Sequence, residues 1–123
     1  MKPNDKKISK TDPAIDLEFL RDVTGKDRDF EKELFVLFLD SSKTSLVKLE
    51  KALADKNEDA WYAVAHSLKG ASASIGAFYL AQIAEYAQTH PKDEDAKKSS
   101  VLSDIKAEFE RVADFITREM ERK

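Results

Sequence analysis

Trp61-Tyr62-Ala63-Val64-Ala65-His66-Ser67-Leu68-Lys69-Gly70-Ala71-Ser72-Ala73-Ser74-Ile75-Gly76-Ala77 is the stretch from which the rest of the chain can be read. It holds one of the chain's two histidines and two of its three glycines. Trp61, Val64, Leu68, Ala71 and Ile75 recur at three- and four-residue steps, the period of a helix with one buried face. At about 100° per residue these positions fall within about 80° of one another, and His66 lies about 180° from their centre. The histidine is therefore predicted on the outer face, beside Asp59, Tyr62, Ala63, Lys69, Gly70 and Ala73. Ala63, Gly70 and Ala73 are small, so the surface around the imidazole should be low and partly bare.

The two glycines of this stretch have separate explanations. Gly70 falls inside the helix, where glycine costs about 1 kcal/mol relative to alanine. Its position on the histidine side implies close approach of something from outside. Gly76 follows the last apolar residue, Ile75, and reads as a left-handed helix stop. Asn57 is a suitable N-cap at the other end, with Asp59 in the first turn.

Outward from there the periodicity stays helical. From about Asp27 to Asp55, Phe30, Leu34, Leu37, Phe38, Ser41, Ser45, Leu49 and Ala52 form a stripe that Phe35, Leu39, Leu46 and Leu53 widen. So broad a stripe must be covered on two sides or leave a margin for docking, and a short leading helix is the expected cover. That leading helix begins either at Asp12-Pro13 or at Asp16, runs through Leu17, Leu20 and Val23, and stops at Gly25. Beyond Gly76, Leu80, Ile83, Ala84 and Ala87 mark a helix from Ala77 to Thr89 that Pro91 ends near His90. The last helix carries Val101, Ile105, Phe109, Val112, Ile116 and Met120, with Asp93, Asp95, Ser99 or Ser100 as its candidate cap. No two-residue alternation is present. The expected fold is all-α, an antiparallel up-down-up-down four-helix bundle with a short extra N-terminal helix. Residues 1–11 are expected to form a flexible N-terminal tail and residues 12–123 the bundle.

Composition narrows the function. A chain of 123 residues fits one domain. Three glycines and three prolines imply long elements and leave no room for the glycine-rich loops of a nucleotide-binding kinase. A net charge of -3 supplies no basic field for nucleic acid. No apolar run approaches the roughly 20 residues of a membrane span. With no cysteine, disulfides and thiolate sites are excluded. The basic residues of Met1–Lys7 have no apolar segment behind them, unlike a secretory leader, so the chain is expected in the cytoplasm.

Two chemistries fail on spacing. His66 and His90 fall on different helices, with neither a His-x-x-x-His nor a Glu-x-x-His pair to hold a metal. Ser67 and Ser72 are helical, without the strained turn of a serine nucleophile. His90 sits where an imidazolium meets the C-terminal end of a helix dipole. His66 is a better candidate. A free imidazole titrates near pH 6.5, so its neutral form is a competent nucleophile at neutral pH. Lys69, one turn on, can meet the charge of a phosphoryl group in flight, and Gly70 leaves room for a donor. An ordinary solvated His-Lys face is the alternative that spacing alone leaves open.

Ala65-His66-Ser67-Leu68-Lys69-Gly70-Ala71-Ser72, continued by Ile75-Gly76-Ala77, closely resembles the signature of histidine-containing phosphotransfer (HPt) domains of multistep phosphorelays, A-H-x-L-K-G-x-S-x-x-I-G-A. The resemblance extends more loosely over about residues 12–122 and implies a four-helix bundle with the histidine exposed on a central helix. It implies that His66 is the phosphorylated residue, Lys69 the phosphate-side cation and Gly70 the residue that gives access. By spacing, Gln88 matches a glutamine that in some relatives hydrogen-bonds near the imidazole or phosphate. It further implies a covalent carrier without an ATP or kinase site and without a cofactor of its own, magnesium belonging to the partner. The implied partners are response-regulator receiver domains and a hybrid sensor histidine kinase, with no nucleic acid or membrane, and the carrier acts as a monomer. A receiver is expected to dock over Tyr62, Ala63, Gly70 and Ala73, with Leu17, Leu20, Phe35 and Leu39 as rim candidates. The rival reading is a helical-bundle interaction module that carries no phosphate; His66 together with Lys69 argues against it. A sensor-kinase dimerisation domain would usually place an acidic residue directly after the histidine, where Ser67 stands.

Overall fold

The first three helices each start at a local side-chain cap. Asp16 caps α1 (Leu17–Thr24) by accepting from the Phe19 amide, and Gly25 ends it in the left-handed conformation, the second of the two predicted starts. Asp27 caps α2 (Arg28–Ala54) through the Phe30 amide. Asn57 caps α3 (Glu58–Ser74) through the Ala60 amide at 3.0 Å. The α2–α3 connection is only Asp55–Asn57, with Lys56 in the left-handed region. Two further helices follow, α4 (Phe78–Thr89) and α5 (Asp95–Glu121). None of the four residues proposed to cap α5 does so. Glu94 stands at that position and its side chain makes no capping bond. The computed structural model describes residues 8–122; residues 1–7 of the expected tail, and residue 123, lie outside the described residues. Within the rest of that segment, Ser9 and Asp12 close a turn, and the Gln82 side chain of α4 donates to the Ile8 carbonyl.

The described residues contain five helices and no strand. α2 packs on α3, α3 on α4, α4 on α5 and α5 on α2, which closes a ring of four. Short connections make successive neighbours antiparallel, so this is the expected up-down-up-down bundle. α1 lies across one end. Its cap residue donates its backbone N–H to the Gly76 carbonyl at 2.9 Å, and Phe19 meets Phe78 edge-on at 5.0 Å.

The core is apolar along one stripe of each long helix: Phe35, Phe38 and Leu49; Trp61, Ala65 and Leu68; Leu80, Ala84 and Ala87; Leu102, Ile105, Phe109, Val112 and Ile116. Two stripes differ from the predicted ones. On α2, Phe30 and Leu37 lie on an open margin, and Ser42 is buried instead. α1 thus covers only part of the wide stripe. On α3, Ala65 and Ser72 are buried while Val64 and Ala71 are only partly so. The buried face is turned by about 45° toward the histidine side.

Trp61 explains the turn. Its ring is fully buried, its Nε1 donates to the Ala87 carbonyl at 2.9 Å, and the Lys98 ammonium lies 5.3 Å above it. One side chain thereby ties α3 to α4 and α5 and fixes the rotation of α3. Residue 66 remains about 135° from the centre of the buried face, still outward.

Candidate functional site

α3 ends in two backbone bonds, Gly76 N–H to the Ala73 carbonyl and Ala77 N–H to the Ser72 carbonyl, the paired pattern that requires a left-handed residue. Gly76 supplies it with φ of 82°. A Cβ there would also stand 2.9 Å from the Asp16 carbonyl oxygen, so this glycine stops the helix and admits the α1 entrance together. The turn reverses the chain, so α4 runs back along α3 and its residues 85–88 come beside residues 61–69.

His66 is exposed on α3. One turn before it, the Tyr62 ring is parallel to the imidazole, with centroids 6.3 Å apart and 2° between planes. Gln88 of α4, almost buried, donates through Nε2 to the Tyr62 hydroxyl at 3.4 Å, and its own Oε1 is buried without a partner. One turn after His66, the Lys69 ammonium lies 3.3 Å from Glu85 Oε1. The imidazole is thus bracketed by two α3–α4 links, a neutral one and an ionic one.

The small-residue surface is present. Ala63 and Gly70 are exposed and Ala73 is partly so. A Cβ at Gly70 would meet nothing within 4 Å. No neighbouring helix therefore requires this glycine, and the openness lies on the solvent side. Tyr62 is 47% exposed and offers an aromatic face beside the imidazole. Leu20 and Phe35 are wholly buried, so neither can serve as rim, because a side chain inside the bundle has no surface to present. Leu17 and Leu39 are partly buried.

The arrangement is an exposed helix face, open at Gly70. The groove between α4 and α5, lined by Tyr79, Gln82, Tyr86, Lys97 and Asp104, does not include His66 or Lys69. His66 is exposed and a Cβ at Gly70 would meet nothing within 4 Å, so a protein carrying its own reactive group would find open access on that side. Among the described residues no group of three or more acidic or histidine side chains is placed to hold a metal ion, and no helix is long and apolar enough to cross a membrane. His90 is separate from this face. It stacks on Tyr86 at 3.9 Å and its Nδ1 lies 2.8 Å from the Tyr86 carbonyl, which assigns it a terminal role on α4.

Sequence reading missed Glu85. A signal was available: Glu85 and Gln88 are three apart on one helix and share a flank. A flank that brings Gln88 to Tyr62 brings Glu85 to the next turns of α3.

Three comparisons bear on these residues. A model of the Hpt domain family matches residues 33–115, which include His66, Lys69, Glu85 and Gln88. No curated protein matches the sequence significantly. Among solved structures, the chain is similar to histidine-containing phosphotransfer protein B (HptB) from Pseudomonas aeruginosa PAO1, with a TM-score of 0.80 at 22% identity, over 92% of this chain and 100% of that one. At that identity the likeness speaks for the fold, an all-helical bundle with an extra N-terminal helix.

Proposed function

The chain belongs to the Hpt domain family, and from that premise we propose that it is a phosphorelay carrier in which His66 takes a phosphoryl group from the phospho-aspartate of one receiver domain and gives it to the aspartate of another. The observation that carries the reading is the exposed His66, open on the Gly70 side, with a lysine one helical turn away.

In the transfer, a lone pair on an imidazole nitrogen forms the N–P bond. The P–O bond to the donor aspartate breaks, and that residue leaves as a carboxylate. The other ring nitrogen keeps its proton. Onward transfer reverses these bonds on a second receiver and regenerates the histidine, so the protein is a covalent carrier with no kinase site of its own. Lys69 meets charge on the phosphoryl oxygens as they pass between the two proteins. The receiver brings the magnesium ion. It docks on Tyr62, Ala63, Gly70 and Ala73, with Leu17 and Leu39 at the rim, and the carrier works as a cytoplasmic monomer between a hybrid sensor kinase and a response regulator. Gln88 acts on this reading through Tyr62, holding the ring that flanks the imidazole.

The test is direct. The protein is mixed with a phosphorylated receiver domain and assayed for acid-labile, alkali-stable phosphate. The expected result is incorporation that vanishes in His66→Gln. Incorporation unchanged by that substitution sinks the assignment, and a folded protein that takes no phosphate from any donor favours the interaction-module reading.

A further inference from the structure

We propose that Glu85 is a positioning residue of the phosphoryl site: it holds the Lys69 ammonium beside His66 while the imidazole is free, and competes for that ammonium once the phosphoryl group is bound, so that its carboxylate limits how firmly the phosphohistidine is kept. The inference rests on His66 being the phosphoryl acceptor and adds a second anion to that site.

Among the described residues, Glu85 is the only ion-pair partner of Lys69, at 3.3 Å. The two side chains come from different helices, so the contact is not a by-product of helical spacing. They are 38% and 56% exposed. An ion pair that open is weak and exchanges its partners readily. Lys69 therefore starts one helical turn from His66, paired with a carboxylate but not locked to it.

The competing anion is stronger. A lysine ammonium has three donors and acts as a point charge. A phosphoryl group carries close to two negative charges and three acceptor oxygens, against one charge and two oxygens on the carboxylate. When the group arrives on His66, Lys69 turns toward it and leaves Glu85 unpaired. The backbone of Glu85 stays beside α3, because α4 is held there by the Trp61 bond to Ala87 two residues further along. The carboxylate and the phosphoryl group then share one cation, and the repulsion between them opposes retention. A carrier must release what it accepts. A nearby carboxylate does this without slowing the approach of the donor, because in the free state its charge is matched by Lys69.

The proposal is tested with phosphoramidate, which charges histidine without any receiver domain. Wild type, Glu85→Gln, Glu85→Asp, Lys69→Ala and the Lys69→Ala/Glu85→Gln double variant are phosphorylated, and two quantities are followed. One is the lifetime of the acid-labile phosphate; the other is the titration of the phosphoryl group by phosphorus NMR. Glu85→Gln should lengthen the lifetime about three- to tenfold and lower the pKa of the bound phosphoryl group, since removing a neighbouring negative charge favours its more ionised form. Glu85→Asp should stay near wild type. In the Lys69→Ala background the part of the gain that comes from sharing the ammonium should be absent, and only relief of the direct repulsion should remain. A merely structural Glu85 would move helicity and leave the phosphorus titration in place. Unchanged lifetime and titration in Glu85→Gln, with His66 charged normally, overturn the inference and leave the acceptor assignment standing. A shorter lifetime overturns it too. Failure of the wild type to be charged, or charging that persists in His66→Gln, removes the acceptor assignment and this inference with it.

Discussion

Two of the places where charged side chains meet in this molecule use them in opposite ways. Where α1 crosses α2 and α5, Glu31 is buried at 3% exposure between Arg21 and Arg28. Arg21 continues to Glu119 at 3.2 Å, and Arg28 donates to the Glu119 and Arg122 carbonyls at the end of α5. On the α3–α4 face, the Lys69–Glu85 pair is open to water. A buried carboxylate cannot give up its partner without leaving a charge in a poorly solvated place, whereas an exposed one gives it up to water or phosphate at little cost. The first cluster therefore fixes helices, and the second can exchange ligands. The same pairing of acid and base, counted in a sequence, says nothing about which of the two it is.

The strongest way to break this contrast is Glu31→Ala. Two arginines would lose their carboxylate at the junction of three helices. The expected loss is about 2–4 kcal/mol of stability, reduced from the fully buried case because Arg21 and Arg28 are about one-third exposed. Urea unfolding followed by circular dichroism measures it. The fraction that stays folded should still take phosphate on His66 at the wild-type rate; slower charging at unchanged stability would show that the two clusters are coupled.

Gly76→Ala comes next. The backbone there is left-handed and the added Cβ would stand 2.9 Å from the Asp16 carbonyl oxygen. Both effects are unfavourable, and together they should cost about 2–3 kcal/mol. Since this turn carries α4 back beside α3, the substitution also loosens the α1 entrance. A midpoint within experimental error of wild type would mean that α1 does not rest on the turn in solution.

Lys69→Ala probes the exchanging cluster. Transfer from a phospho-receiver should slow about tenfold, equivalent to about 1.4 kcal/mol in the barrier. Stability should change by less than about 0.5 kcal/mol, as for other exposed ion pairs. A large fall in the unfolding midpoint would move Lys69 into the same class as Glu31.

What the sequence could disclose follows the same division. Asn57, Gly25 and Gly76, and Asp16 as one of two possible starts, were legible because a cap or a stop is chemistry between residues three or four apart. The outward direction of His66 was legible because it depends on the period of the helix more than on its neighbours. Its error was one of rotation: Val64 and Ala71 look more apolar than Ser72, but the Trp61 bond to Ala87 sets the facing side, and a small serine fits there. Glu31, Lys98 and Glu108 drew no reading from the sequence, because burial of a charge depends on how partners are brought together: Arg21 and Arg28 converge on Glu31 from two helices, and Lys98 meets Trp61 across the bundle. For the third, Arg111 was only one turn away and grips Glu108 through two bonds. That pair raises the Arg111 pKa above its ordinary value, and Arg111 also donates to the Asp12 carbonyl, a tertiary use that helical spacing could not reveal. Glu85 escaped for a related reason: its partner was in view, but the turn that joins them had to be built first.

Gly70 gives the smallest effect and the sharpest use of the contrast, because there stability and function should move in opposite directions. Its site is helical and exposed, and a Cβ would touch nothing within 4 Å. Alanine should therefore stabilise the protein by about 0.5–1 kcal/mol, the ordinary gain from replacing a glycine in an open helix interior. If the openness serves a docking receiver, that gain comes with a penalty that grows with side-chain size. Gly70→Ala should slow transfer from a phospho-receiver only slightly, and Gly70→Gln more, while charging by phosphoramidate stays close to wild type in both. The small donor needs no docking surface, so it separates crowding of the partner from damage to His66. Equal slowing with both donors would mean that the added side chain disturbs the imidazole itself. No slowing with either would leave the glycine without a role at the interface, and the helix would be carrying its cost for a reason that lies elsewhere.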